Sequence, residues 1–265
     1  MLMTRLIPIL FLKNGYLVRS EKFNIHQNIG NPLAQVERYN SWDVDELIYI
    51  DITREGGYKY QRKDLGGIDR NHTNHINGII QVVAKKCFMP LTFGGGIRSI
   101  DDAHIRFKLG ADKITINSQA LRQPNFISLL AREFGSQAIV VSIDAKLCPD
   151  GSYSVFSDWG RTNINISPQD WALQAQELGA GEILINSIDR DGTAKGYDLE
   201  LVQSVVSVTD IPVIACGGVG DYSDFNEVLN KTGASAAAAG NIFNFRELAY
   251  PLAKKHLKNH GLNVR

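Results

Sequence analysis

Short apolar runs rich in β-branched residues alternate with helix-length segments along the whole chain. The runs are nearly continuous rather than alternating, a pattern typical of parallel strands buried on both faces. Helical patterns fill the intervals, for example at residues 168–178 and 225–229. The eight runs lie at residues 6–10, 46–52, 89–93, 113–117, 138–144, 182–186, 212–215 and 234–239. This order predicts the α/β class and a single (β/α)8 TIM barrel over residues 1–265; an open doubly wound sheet is the alternative.

A glycine-rich pattern occurs twice. Residues 92–97 are followed by 110–117, and residues 215–220 by 233–240. One shift of 123 residues relates both pairs, which predicts two repeated half-barrels. Glycine lets backbone N–H groups approach a phosphate closely, so the pattern predicts two phosphate-binding sites on one face. The predicted phosphate-binding residues are Gly95, Gly96, Asn117, Ser118, Asp191, Gly192, Gly217, Gly218, Gly240 and Asn241.

The first half carries an insertion after its second strand. Residues 45–48 resemble residues 181–184 at a shift of 136, and downstream the shift falls to 123, so about 13 residues are added. The polar, glycine-containing and basic stretch at about 54–77 contains them. Loops after barrel strands lie on the catalytic face. We therefore expect a loop that serves the catalytic face, with a tolerated surface insertion as the alternative.

A lone carboxylate, Asp144, ends the fifth apolar strand. At the mouth of a barrel such a group can be desolvated and act as a general acid or base. The structural alternative is a carboxylate that only accepts a hydrogen bond from a loop amide. Aligning the halves places Phe11 at the equivalent end of the first strand. Phenylalanine cannot transfer a proton, and its size narrows the site.

Charged residues begin four of the strands. A charge at the start of a buried strand lies at the N-terminal face of the barrel. Two cations and two anions there predict a ring of ion pairs that closes the base of the barrel, with ordinary structural salt bridges as the alternative. The four residues are Arg5, Glu46, Lys113 and Glu182.

Composition narrows the partners. The 28 basic and 28 acidic residues cancel, so no net field attracts nucleic acid or an anionic membrane. Cys87, Cys148 and Cys216 are scattered without a CxxC spacing, which is typical of a reducing compartment. No apolar run reaches transmembrane length. We expect a cytoplasmic protein without nucleic-acid or membrane partners, and without a metal or organic cofactor.

These motifs together resemble one family almost from end to end. The chain is similar to the HisF family, the cyclase subunit of imidazole glycerol phosphate synthase. The resemblance implies a duplicated barrel, a HisH-like glutaminase docked on the N-terminal face, and ammonia passing through the barrel. The matching segments are residues 13–15, 45–47, 51–53, 93–98, 134–137, 143–146, 179–184, 187–193 and 260–265.

The resemblance also assigns roles to the candidate residues. It implies that the charged ring gates an ammonia tunnel and that the top face binds a substrate with two phosphates. In the family, aspartates ending strands one and five perform cyclisation and cleavage. Asp144 matches the second of these, and the first falls on Phe11. Further departures from the family pattern are Asn186 for Thr, Gly240 and Asn241 for Ala-Ser, and Asn244 for His.

The departures fall on the top face, whereas the four ring residues are kept. We therefore predict a paralogue that conducts ammonia and has lost or weakened the cyclase chemistry. It resembles the group linked to acetamidino modification of bacterial surface-polysaccharide sugars, where a sugar amidotransferase on the C-terminal face would use the ammonia. Two alternatives stay open: a working cyclase (a lyase of histidine biosynthesis), or a non-catalytic activator of the glutaminase. The glycine turns also predict a phosphorylated small-molecule ligand.

Overall fold

Each of the eight apolar runs forms a strand in the computed structural model, which describes residues 3–53 and 76–265. Four further strands form two hairpins. The strands of the described residues are β1 (Arg5–Lys13), β2 (Tyr16–Glu21), β3 (Ile25–Gly30), β4 (Leu47–Asp51), β5 (Leu91–Gly94), β6 (Lys113–Ile116), β7 (Ile139–Leu147), β8 (Tyr153–Ser157), β9 (Thr162–Asn163), β10 (Glu182–Ser187), β11 (Val213–Cys216) and β12 (Ala236–Ala239).

The barrel closes through parallel pairing of β1, β4, β5, β6, β7, β10, β11 and β12, in that order. Leu6 of β1 lies opposite Ala237 of β12, and this last pairing completes the circle. Asp144 of β7 lies opposite Asn186 of β10. The predicted (β/α)8 barrel is therefore confirmed. The open sheet is excluded, because an open sheet would leave two edge strands unpaired.

Helices connect the barrel strands. Ser99 and Asp221 each cap the helix that follows and form a capping box with the aspartate three residues later. The helices within the described residues are α1 (Pro32–Ser41), α2 (Ile76–Lys86), α3 (Ile100–Lys108), α4 (Ser118–Arg122), α5 (Asn125–Phe134), α6 (Pro168–Glu177), α7 (Leu199–Val206), α8 (Tyr222–Thr232), α9 (Asn241–Phe245) and α10 (Ala249–Asn259). The two predicted helical stretches are confirmed, as α6 and α8.

The two halves of the barrel share their irregular features. After β1 the chain returns antiparallel in β2 and β3, and after β7 it returns antiparallel in β8 and β9. The short helices α4 and α9 directly follow β6 and β12. A half-barrel repeat accounts for these matching positions.

The repeat is not related by one constant shift. Strand β5 corresponds to β11 at a shift of 122, whereas β6 corresponds to β12 at 123. The left-handed glycines agree with the strand ends: Gly95 and Gly96 have φ of 93° and 69°, and Gly217 and Gly218 have φ of 93° and 110°. The predicted constant shift of 123 is one residue off at the first glycine turn. It aligned glycines by identity, whereas strand pairing fixes the register.

The described residues form two hydrophobic cores, one between the strands and the helices and one inside the barrel. Outward-facing side chains of the strands pack against the helices around large buried residues such as Trp171 and Phe225. Inward-facing side chains fill the barrel and are almost completely buried. This inner core lies between the charged base and the mouth, and it includes Ile7, Ile9, Ile48, Val140, Leu184 and Ile214.

The predicted insertion at 54–77 lies outside the described residues, apart from its last two positions at the start of α2. Its predicted roles therefore stay predictions. Among the described helices, none is both long and apolar enough to cross a membrane.

Candidate functional site

The four predicted charged residues meet in a ring at the N-terminal end of the barrel. The Arg5 guanidinium lies 2.7 Å from Glu46 and 2.8 Å from Glu182, measured between nitrogen and carboxylate oxygen. The Lys113 ammonium lies 2.8 Å from Glu182 and 3.5 Å from Glu46. Each cation therefore bridges both anions, and the Lys113–Glu46 contact is the longest.

The ring is largely shielded from solvent. Side-chain exposure is 8% for both glutamates, 13% for Arg5 and 20% for Lys113. Burial by itself lowers the pKa of Arg5, but the charges of Glu182 and Glu46 outweigh burial and raise it. The predicted ring of ion pairs is thus present. Its role as a gate for ammonia stays a prediction.

A cavity of about 470 Å³ opens at the opposite, C-terminal end of the barrel. Loops that follow the barrel strands surround it, as expected for this fold. It contains both residues at the ends of the equivalent strands β1 and β7, Phe11 and Asp144. Four predicted phosphate-binding residues line it as well: Gly95, Gly96, Asn117 and Ser118.

Asp144 is held by two carboxamides. Its Oδ2 accepts a hydrogen bond from Asn117 Nδ2 at 2.7 Å, and its Oδ1 accepts one from Asn186 Nδ2 at 3.3 Å. Burial raises the pKa of Asp144 to about 7; the Asn186 and Asn117 hydrogen bonds oppose this rise, and the charge of Asp191 adds to it. The carboxyl can therefore both give and take a proton near neutral pH.

The six other predicted phosphate-binding residues line a second, separate pocket of about 30 Å³. That volume holds one or two water molecules. The residues are Asp191, Gly192, Gly217, Gly218, Gly240 and Asn241. The structure therefore divides the predicted site residues between two pockets that differ greatly in size. Phosphate binding by either pocket stays a prediction.

The first hairpin borders the second pocket through Val18 and Ser20. Asp191 is buried, and its Oδ2 accepts hydrogen bonds from Ser20 Oγ at 2.6 Å and from the backbone N–H of Phe23 at 3.3 Å. The Asp191 backbone carbonyl accepts a further bond from the N–H of Lys22 at 3.0 Å. Burial raises the pKa of Asp191, and the Ser20 bond opposes this rise. Asp191 therefore fastens the β2–β3 hairpin.

The two glycine turns differ in the space around their glycines. A side chain added at Gly96 would meet no atom within 4 Å, so this turn opens to the large cavity. At Gly217, an added Cβ would lie 2.9 Å from Asn186 Oδ1. At Gly218 it would collide with the backbone carbonyl of Gly196. At Gly95, an added Cβ would collide with the backbone carbonyl of Asp51, so the first glycine is packed in both turns. The turns differ at the second glycine, which is open at Gly96 and packed at Gly218.

Phe11 lies between the two pockets and lines both. Its backbone pairs with Val18 of the first hairpin, as that of Asp144 pairs with Phe156 of the second. The strand-end alignment made from the sequence therefore matches the topology. At the mouth, one of the two equivalent positions carries a proton-transferring group and the other an aromatic ring.

Several residues of the large cavity were missed by sequence reasoning. Trp159 lies in the turn after β8, and its indole Nε1 donates to the Ile52 carbonyl at 3.2 Å. Phe23 of the first hairpin also lines the cavity, and both aromatic residues have positive φ angles, of 61° and 57°. No strand or helix periodicity marks residues in such turns. Thr115 was missed because it falls within an apolar run.

Within residues 3–53 and 76–265, no group of three or more His, Cys, Asp or Glu residues is placed to hold a metal ion.

The fold and the two ends define a class: a duplicated (β/α)8 barrel with an ion-pair ring at its base and, at its mouth, a glycine-containing cavity lined by both apolar and polar residues. Residues 5–249 match the family model for histidine biosynthesis proteins. Over all 265 residues of both chains, the protein is 40% identical to imidazole glycerol phosphate synthase subunit HisF of Hydrogenobaculum sp.. The same subunit is 38% identical in Streptococcus mutans and 37% in Alkaliphilus metalliredigens, again over the full length of both chains. The chain belongs to the HisF family, and the resemblance found in its motifs is confirmed at that level.

Proposed function

We propose that this HisF-like subunit receives ammonia at its N-terminal face and passes it through the barrel to an acceptor on a separate protein. One observation carries the proposal. Phe11 occupies the mouth at the position equivalent to Asp144, while the ion-pair ring at the base is complete. Chemistry that needs two carboxylates across the mouth lacks one of them. The proposed entrance for ammonia at the base, by contrast, retains all four of its charged residues.

The barrel interior suits passage of a neutral molecule. Between ring and mouth, the inward-facing residues are mainly Ile, Val, Leu and Ala. Moving an unpaired charge through such a lining is costly, whereas neutral ammonia carries no such penalty. The ring would then accept ammonia from a HisH-like glutaminase docked on the N-terminal face. The three relatives are themselves named as subunits, which supports an assembly of this kind.

The acceptor we propose is a sugar of a bacterial surface polysaccharide, amidated by a third protein on the C-terminal face. Support comes from the sequence: the top-face departures and the insertion at 54–77 resemble the group linked to acetamidino modification. The open position at Gly96, the packed position at Gly218 and the small volume of the second pocket fit a mouth that no longer binds a substrate with two phosphates. We propose the insertion as the docking element.

A second candidate is a working cyclase of histidine biosynthesis. It is favoured by identities of 37–40% over the full length of subunits with that name. Asp144, with its pKa raised to about 7, could still act as a general acid or base. One missing acid–base group slows a reaction by roughly 10²- to 10⁴-fold. A slow cyclase is therefore the specific competitor.

The test is turnover of the bisphosphate ribonucleotide substrate of the cyclase with saturating ammonium salt. Free ammonium removes the need for a glutaminase, so only the mouth is tested. We expect no turnover by the wild type and recovered turnover in Phe11→Asp. Phe11→Asn is the matched control, because it removes the ring without supplying a carboxyl. Substantial wild-type turnover would refute the proposal and establish the cyclase.

A further inference from the structure

Phe88 is the most exposed large hydrophobic side chain among the residues that the structure describes. Its exposure is 87%, against 60% for Phe245, the next highest. A phenyl ring in water has a strong tendency to bury its apolar surface against a partner. One exposed apolar side chain is common on protein surfaces, and what distinguishes Phe88 is its fixed backbone and its location.

The backbone on both sides of Phe88 is held in place. The Phe88 N–H donates to Asn40 Oδ1 at 3.2 Å, and Asn40 Nδ2 donates to the Lys86 carbonyl at 2.5 Å. The Cys87 thiol donates to the Met89 carbonyl at 3.3 Å, and the Met89 side chain is buried. The turn therefore presents the Phe88 ring to solvent from a fixed backbone, so little conformational entropy is lost when a partner covers the ring.

Phe88 lies at the same end of the barrel as the ion-pair ring. It precedes β5 by three positions, and the Pro90 carbonyl accepts a hydrogen bond from the N–H of Leu47 at 2.9 Å. Leu47 directly follows Glu46 of the ring. A second exposed apolar side chain, Met3 at 49%, precedes β1 by two positions. The base therefore carries an exposed aromatic residue and an exposed methionine, and both residue types are enriched at protein interfaces.

The ion-pair ring itself offers a docking protein few free charges. Arg5 and Lys113 each contact both glutamates, so the four charges are neutralised within the chain. Binding energy at an interface is concentrated in a few aromatic or arginine side chains that fill pockets of the partner. Among the described residues of the base, Phe88 is the aromatic side chain with the most surface available for such a contact.

We infer that Phe88 anchors the HisH-like glutaminase at the N-terminal face by inserting its ring into an apolar pocket of that partner. The inference rests on the proposed function only in placing the glutaminase at this face. It adds the residue that determines the affinity and the chemistry of the pocket that receives it. Lys86, two positions before Phe88, forms an exposed ion pair with Glu37, which suits the polar rim around such a pocket.

The experiment measures the affinity between the chain and the HisH-like glutaminase of the same organism by isothermal titration calorimetry. Phe88→Ala should weaken binding about 30-fold or more, the effect of losing an interface anchor. Phe88→Leu keeps an apolar side chain of reduced size and should bind with intermediate affinity. Because Phe88 is exposed, the midpoint of urea unfolding of the isolated chain should be the same in both variants as in the wild type.

Phe245→Ala is the matched control. Phe245 is also an exposed phenylalanine, but it ends α9, the helix that follows the C-terminal end of β12 at the mouth. Its loss should leave the affinity for the glutaminase unchanged. Sedimentation of the isolated chain tests whether a second copy covers Phe88 instead, and we expect the wild type and Phe88→Ala to sediment identically.

Three results would overturn the inference: an affinity of Phe88→Ala within about threefold of the wild type, an equal loss in Phe245→Ala, or self-association of the chain that Phe88→Ala abolishes. Failure of the proposed function would be recognised separately. The anchor concerns the pairing alone, so a chain that pairs through Phe88 but turns over the cyclase substrate would keep the anchor and lose the proposed function. A wild-type chain that does not bind the glutaminase would overturn both.

Discussion

The raised pKa of Asp144 makes stability depend on pH in a way that one substitution removes. The carboxyl has a pKa of about 7 in the folded chain, against 3.8 ordinarily. Between these two values the folded state binds one proton more than the unfolded state. Stability therefore falls as pH rises through this window, and the loss is complete above about pH 7. Asp144→Asn cannot titrate and should not show this loss.

The magnitude follows from the size of the shift. A shift of about 3 pKa units, at about 1.4 kcal/mol each, corresponds to at most about 4 kcal/mol over the whole window. Only part of the window lies between about pH 5 and pH 8, and it contributes roughly 2–3 kcal/mol. Relative to the wild type, Asp144→Asn should therefore gain about 2–3 kcal/mol of unfolding free energy over this range.

The assay is urea unfolding of both chains across that pH range, followed by tryptophan fluorescence. Any constant offset between them, such as one from the new amide facing Asn117 and Asn186, cancels when only the pH dependence is compared. Asp101→Asn, at an exposed position in the first turn of α3, reports the effect of removing a surface carboxylate. If the wild-type and Asp144→Asn curves run parallel, the argument from burial is refuted.

Two further predictions concern the base and the bore of the barrel. Arg5→Met should cost about 3 kcal/mol in urea unfolding, because both glutamates lose a short ion pair; Lys113→Met should cost less, since Arg5 still bridges both. The reverse order would contradict the ring geometry. Ala238 of β12 faces the barrel interior, and Ala238→Phe should block passage through it. We expect this variant to lose glutamine-dependent amidation while activation of the glutaminase is unchanged. Ala238→Ser, which adds little volume, is the control. Amidation that survives the block would favour a subunit that only activates its partner.

The asymmetry of the mouth explains why both halves can keep their glycine turns and yet differ in function. In the second half, the carboxylate of Asp191 already accepts hydrogen bonds from the Ser20 hydroxyl and the Phe23 backbone N–H. It therefore holds the first hairpin in place. In the first half, no added side chain at Gly96 would meet a neighbour. Sequence repetition preserved the backbone conformation of the turns. It did not preserve the space in front of them.

The sequence by itself determined the barrel and its polarity. Continuous apolar runs predicted all eight strands, because parallel strands buried on both faces need no alternation. The strand starts placed Arg5, Glu46, Lys113 and Glu182 in one ring, since parallel strands bring their N-terminal ends together. Parallel strands also bring their C-terminal ends together, so the sequence placed Phe11 of β1 and Asp144 of β7 at the mouth.

Only the tertiary structure decided what these residues contact. The one-residue offset between the glycine turns depends on strand register, which is set by backbone pairing between distant segments. The first hairpin is held by Asp191, although Phe23 and Asp191 lie 168 positions apart in the sequence. Asn117 and Asn186 both reach Asp144 only because β6, β7 and β10 are neighbours in the closed barrel. Sequence fixes which chemical groups are present, whereas the register and closure of the sheet decide which of them remain without a partner.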